Sequence, residues 1–156
     1  MPLVEWIGAW PGAVFLRDSG TAYLLVNAAH ILGVGLLVGA ILPLDLRLLG
    51  FFRHVPLAVL APFLSRAAAA GAVLAIVTGL WLFSVKPDEY LGNAAFLWKA
   101  GLLVLALANV ALQHGNRRFA AAVAGGVLQP TVRLVALGSI LLWLSVLVAG
   151  RWIGFV

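Results

Sequence analysis

The chain has 156 residues, 64% of them hydrophobic and 10% charged, with a mean hydropathy of +1.12. That leaves too little polar surface to clothe a water-soluble domain of this size, so the composition implies an integral membrane protein. With no cysteine, disulfides and thiolate metal sites are excluded, and the net charge of +5 calls for no nucleic acid, because membrane topology accounts for the arginines.

In chain order, residues 3–16 come first. Trp6 and Trp10 stand four apart, near Glu5 and Arg17, which predicts a short helix in the headgroup layer. A secretion signal is not expected here, since Glu5 replaces the basic start and Pro11 interrupts the apolar stretch. Four apolar runs follow, at about 20–44, 66–85, 93–114 and 130–150, each close to the roughly 20 residues that cross a hydrocarbon core of about 30 Å. They are continuously apolar, dominated by Ala and Leu, and lack the period-two alternation of a β-barrel. The expected fold is all-α: a four-helix integral membrane bundle with an N-terminal interfacial helix, forming a single transmembrane domain over residues 1–156.

Each run carries its own markers. In the first, Tyr23, Asn27 and His30 are spaced by four and three and share one helical stripe. Gly35 and Gly39 offer a small-xxx-small surface for close approach of another helix, within the chain or in a homo-oligomer, and Pro43 is expected to kink or end the helix. Asp45 then stands alone among arginines, where a structural ion pair with Arg66 or Arg133 would tie helix ends together. The second run contributes Thr78, the third Lys99, and the fourth opens on Pro130 and carries Trp143.

Alternating helix directions sort the ends into two faces. Arg47, Arg53, Arg66, Arg117, Arg118 and Arg133 fall on the second face, whereas the first carries Arg17, Lys86 and Arg151 with Glu5, Asp18, Asp88 and Glu89. The positive-inside rule puts the second face in the cytoplasm and both termini outside. Trp6, Trp10, Trp81, Trp98 and Trp152 then form an aromatic belt at the outer face.

A cation at mid-bilayer opposes insertion by about 2.5–3.5 kcal/mol, so Lys99 and His30 demand an explanation. At a helical rise of about 1.5 Å per residue, Lys99, Thr78 and Trp143 lie roughly 10 Å below the outer ends and His30 roughly 15 Å. The reading is a polar site open to the outer leaflet, made by His30 and Lys99 with Tyr23, Asn27, Thr78 and Trp143. The structural alternative is that Lys99 snorkels toward Asp88 or Glu89 while a neutral His30 bonds an adjacent helix.

The segments Ala29-His30-Ile31-Leu32-Gly33, Leu44-Asp45-Leu46-Arg47-Leu48-Leu49-Gly50, Thr78-Gly79-Leu80 and Asn93-Ala94-Ala95-Phe96-Leu97-Trp98-Lys99 resemble a family of short, uncharacterised bacterial inner-membrane proteins. That family is more distantly similar to the membrane domain of copper-resistance D proteins, helical bundles associated with periplasmic metal handling or b-type cytochrome-like folds. The resemblance implies a multi-pass protein of the bacterial inner membrane, in which the outside termini expected from the positive-inside rule would be periplasmic.

Three classes of function follow. The first is binding of a cofactor or small lipophilic ligand, a quinone or haem b, with His30 as the metal ligand if haem is bound. The second is a non-catalytic accessory or assembly subunit with a periplasmic or membrane partner protein. The third is a small metal or ion transport component, which the lack of acids within the spans and of any methionine beyond Met1 disfavours. His54 and His114 make a poor metal site, and Ser139 and Ser145 lack the partners of a hydrolase.

Overall fold

The computed structural model describes residues 2–155, which form eight helices: α1 (Pro2–Ala9), α2 (Pro11–Asp18), α3 (Gly20–Leu49), α4 (Leu57–Val85), α5 (Pro87–Leu91), α6 (Ala94–His114), α7 (Arg117–Val123) and α8 (Pro130–Trp152). Four of them, α3, α4, α6 and α8, are long and apolar enough to cross a membrane. The protein is therefore a helical bundle that fits an integral, multi-pass membrane protein in a lipid bilayer.

The expected interfacial helix over 3–16 is two helices. A residue before proline is pushed out of the helical region, and Trp10 is extended at φ −66° and ψ 149°, with Pro11 opening α2. The two tryptophans consequently part. Trp6 is 70% exposed, whereas Trp10, 41% exposed, leans onto the bundle, its indole N–H donating to Ser84 Oγ at 2.9 Å beside the Trp81 ring. Arg17 holds this layer to the bundle by donating to the carbonyls of Gly8 (2.7 Å) and Val85 (3.1 Å).

Local signals set the helix starts. The Ser19 hydroxyl accepts from the Ala22 amide at the head of α3, the Asn93 side chain accepts from the Phe96 amide at the head of α6, and Pro130 opens α8. Gly50 ends α3 at φ +109°, a conformation open to glycine. Pro43 neither ends α3 nor confines it to 20–44, and α4 begins at Leu57 rather than near 66. Pro43 and Pro62 both face outward, where their missing N–H bonds leave the packed seam intact. At 30 and 29 residues these helices reach about 45 Å, longer than the roughly 30 Å core.

Packing divides the bundle into two hairpins, α3 with α4 and α6 with α8, joined through α3 and α8, while α4 and α6 meet through side chains, Phe83 with Phe96 and Ser65 with His114. The α3/α4 seam is a backbone contact at Gly33 and Gly71: a Cβ on Gly71 would stand 2.5 Å from the Leu37 nitrogen and 2.8 Å from the Gly33 oxygen. Gly35 and Gly39 take no part, for a Cβ on either would meet nothing within 4 Å. One apolar cluster joins Leu37, Ala40, Ile41, Ala68, Ala106 and Trp143 at mid-bundle. A second, including Leu48, Leu57, Phe119 and Val132, closes the second face under α7.

Candidate functional site

Asp45 on α3, Gln113 on α6 and Trp143 on α8 are 5%, 6% and 1% exposed. Each keeps one buried polar atom without a hydrogen-bond partner: Asp45 Oδ2, Gln113 Oε1 and Trp143 Nε1. All three residues line one cavity of about 390 Å³. Orphaned buried polar atoms are rare because each costs about 1–3 kcal/mol, so three around one space mark a site.

Backbone contacts set the geometry. Gln113 donates through Nε2 to the Val132 carbonyl (3.2 Å) and Asn109 through Nδ2 to the Val135 carbonyl (3.2 Å), two rungs that lock α6 to α8. The Gln113 amide is thereby oriented with its nitrogen on α8 and its oxygen left over. Ser139, one turn before Trp143 on α8, hydrogen-bonds the Asp45 side chain. The wall from α4 is made by Ala68, Ala69 and Ala72, with Ser65 and Arg66 toward the second face. Between α4 and α6 the helices touch where Phe83 stacks on Phe96 (centroids 5.3 Å) and where Ser65 meets His114, and the chamber lies between these contacts. At its second-face end His114 bonds the Val110 carbonyl (3.0 Å) and the Ser65 hydroxyl (3.3 Å).

The expected six-residue site is divided. His30 and Thr78 do meet, at 3.2 Å, and His30 Nδ1 also bonds the Ala75 carbonyl at 2.9 Å. Lys99 is near enough for its charge to act on the His30 ring, yet its stem runs along α8, where a Cβ on Gly150 would touch Lys99 Cε at 3.5 Å. It forms no ion pair with Asp88 or Glu89; Glu89 is held by Lys86 at 2.8 Å. Tyr23 turns to Tyr90, at the first face, and hydrogen-bonds it. Burial, then the Tyr23 phenol, then the Glu89 charge hold the Tyr90 phenol above its ordinary range. Asn27 is exposed on the outside of α3. Trp143 belongs to the chamber, packed with Leu37, Ala40 and Ile41, two to three turns inward of His30 along α3.

The expected ion pair of Asp45 with Arg66 or Arg133 is absent. Both arginines are exposed and the carboxyl is buried toward Ser139. Because α3 runs on through Pro43, Asp45 is a wall of the bundle interior instead of a loop residue. Asn109, Gln113 and Ser139 were not expected at the site. The signal for them is a pair of i, i+4 spacings, Asn109 with Gln113 and Ser139 with Trp143, each placing two polar groups on one face of an apolar helix.

His30 has the anchored Nδ1 of a metal-ligating imidazole, but bis-histidine haem does not fit. His54 and His114 lie at the second face, and a Cβ on Gly79 would be 3.0 Å from the His30 ring, so the ring is wedged into the α3/α4 seam. Among the described residues no group of three or more His, Cys, Asp or Glu side chains stands ready for a metal ion.

Residues 5–156 match a protein family of unknown function, DUF6644. The chain matches no curated protein and no solved structure, and the likeness to copper-resistance D proteins gains no support.

Proposed function

We propose that this chain, which belongs to the DUF6644 family of unknown function by a match over residues 5–156, binds a small amphipathic molecule in the chamber between α4 and α6. The observation that carries the reading is that Asp45, Gln113 and Trp143, each holding one buried polar atom without a partner, line one cavity. The three atoms ask for a head that accepts one hydrogen bond, from the indole, and donates two, to the carboxylate and the amide oxygen. The two hydroxyls of a reduced quinone meet that demand, and an apolar tail would leave between α4 and α6 into lipid. Satisfying the three atoms returns about 1–3 kcal/mol each, which supports a ligand over an empty chamber. The arginine excess on the second face supports a cytoplasmic placement of that face, with both termini periplasmic in a bacterial inner membrane. The chamber then opens toward the inner leaflet, and His30, Thr78 and Lys99 serve to hold the outer half of the bundle together.

The test is mass spectrometry of small molecules extracted from protein purified in mild detergent, followed by titration with a short-chain quinol. An isoprenoid quinone or quinol should co-purify, and Trp143→Phe or Gln113→Leu should weaken the titrated affinity about tenfold, the equivalent of about 1.4 kcal/mol. A chamber holding only water, seen as no extracted molecule and no quinol binding, refutes the reading. A Soret band lost in His30→Ala would move the site to the outer half and refute it as well.

A second reading, an assembly subunit, is favoured by Asn27, Gly35 and Gly39, which share an uncovered side of α3. An amide facing lipid is unsatisfied until another helix meets it. Native mass spectrometry of Gly35→Leu tests it: a complex that persists unchanged rules this face out.

A further inference from the structure

A second cavity, of about 450 Å³, lies at the second face, lined by three arginines from three places in the chain: Arg47 on α3, Arg53 in the 50–56 connection and Arg133 on α8. No acidic residue lines it, and Asp45, the acid nearest in sequence, is turned into the other chamber. Three like charges around one space repel unless an anion lies between them.

Two of the guanidiniums are held in place. Arg47 donates through Nε to the Val55 carbonyl at 2.8 Å, and Arg53 through Nε to the Gly50 carbonyl at 2.9 Å. Gly50 permits this, since a Cβ there would press on Arg53 Nη2 at 3.3 Å and its φ is +109°. Each bond occupies the Nε–H and leaves terminal N–H donors for a ligand. Arg133 is exposed and has no partner among the described residues. Opposite them the chain turns through Gly125 and Gly126, which add no side chain to the space.

The surroundings indicate depth. Phe51 and Phe52 expose their rings immediately before Arg53, and Val127, next to Gly126, is 86% exposed. Phe52 even adopts a left-handed φ of 52°, uncommon for an aromatic residue. Uncovered apolar side chains around a basic cavity suit the boundary where headgroups meet acyl chains, and Leu57 and Leu128 give the cavity an apolar wall as well.

We propose that Arg47, Arg53 and Arg133 form a phosphate-binding site that takes the phosphodiester of an anionic lipid headgroup. The site is independent of the ligand chamber and stands or falls without it.

The test uses full-length protein stripped of lipid in a neutral detergent. One arm titrates phosphatidylglycerol in mixed micelles, the other inorganic phosphate, each read as the shift in unfolding midpoint. Arg133→Gln is the probe variant, because that side chain holds nothing else in the structure. Arg117→Gln, an exposed arginine on the same face outside the cavity, is the control for net charge. The expected result is saturable binding of the lipid that weakens about tenfold in Arg133→Gln, holds in Arg117→Gln, and falls with rising salt. Equal shifts from inorganic phosphate and lipid would uphold the site and make a soluble phosphate its source. Equal weakening in both variants, or no saturable binding in either arm, would overturn the proposal.

Discussion

Replacing Gly71 by alanine tests the architecture most directly. The added Cβ would stand 2.5 Å from the Leu37 nitrogen, 2.8 Å from the Gly33 oxygen and 3.0 Å from the Leu37 Cα. Non-bonded heavy atoms settle at about 3.5 Å or more, so α3 and α4 must separate by about 1 Å. All three neighbours are backbone atoms, and no side chain can swing aside to absorb the change. Overpacking of this kind costs about 1–3 kcal/mol, offset in part by the helix preference of alanine over glycine, about 0.5–1 kcal/mol. The net loss, about 1–2 kcal/mol, lowers the ratio of folded to unfolded protein about 5- to 30-fold. Gly35→Ala is the counterpart: nothing lies within 4 Å of its Cβ, so only the helix preference acts and stability holds or rises. Both are measured by unfolding in mixed micelles of a mild detergent and dodecyl sulfate, followed by circular dichroism. If Gly71→Ala is as stable as the parent, or Gly35→Ala falls as far, the assignment of the seam to Gly33 and Gly71 is wrong.

Two further outcomes follow. His30→Leu removes the bond from Nδ1 to the Ala75 carbonyl and should cost about 0.6–2 kcal/mol, the range for hydrogen bonds between membrane helices, measured in the same unfolding assay while quinol binding in the chamber stays unchanged. The Tyr90 phenol is raised by burial, by Tyr23 and by Glu89, so its contribution is full below the unfolded phenol value of about 10 and is lost as pH rises through the folded value. Unfolding midpoints taken from about pH 9 to 11 should fall more steeply in the parent than in Tyr90→Phe, and identical slopes would refute that environment.

The spans were legible because hydrocarbon solvent demands apolar side chains over a helix length, a condition each segment meets by itself. The pairing of His30 with Thr78 was also within reach, since both face the shared seam of neighbouring helices in a hairpin. Trp143 was misplaced for a different reason. Depth counted along each helix assumes that the helices start level and run parallel, whereas packing slides α8 so that Trp143 meets Leu37, Ala40 and Ile41. In sequence, Pro43 marks a stop and leaves Asp45 to a loop; on an outward face proline does not interrupt the seam, and the helix carries the carboxyl inside. The glycines show the same limit. Gly35-xxx-Gly39 has the spacing of a contact motif, but on α3 the backbone contact falls to Gly33, while on α4 it falls to Gly71, which does stand in a small-xxx-small pair with Ala67.

Composition and hydropathy alone determined that this is a helical membrane protein with four spans and a basic second face, since those properties depend on each residue's transfer into lipid. Tertiary structure decided which polar residues share a space. Asp45, Gln113 and Trp143 come from three helices and are 68 and 30 residues apart in the chain, and their sharing of one cavity depends on helix register, on rungs such as Gln113 to Val132, and on the space left among α3, α4, α6 and α8. Register between helices arises from shape and close packing across the whole seam, which no single segment carries.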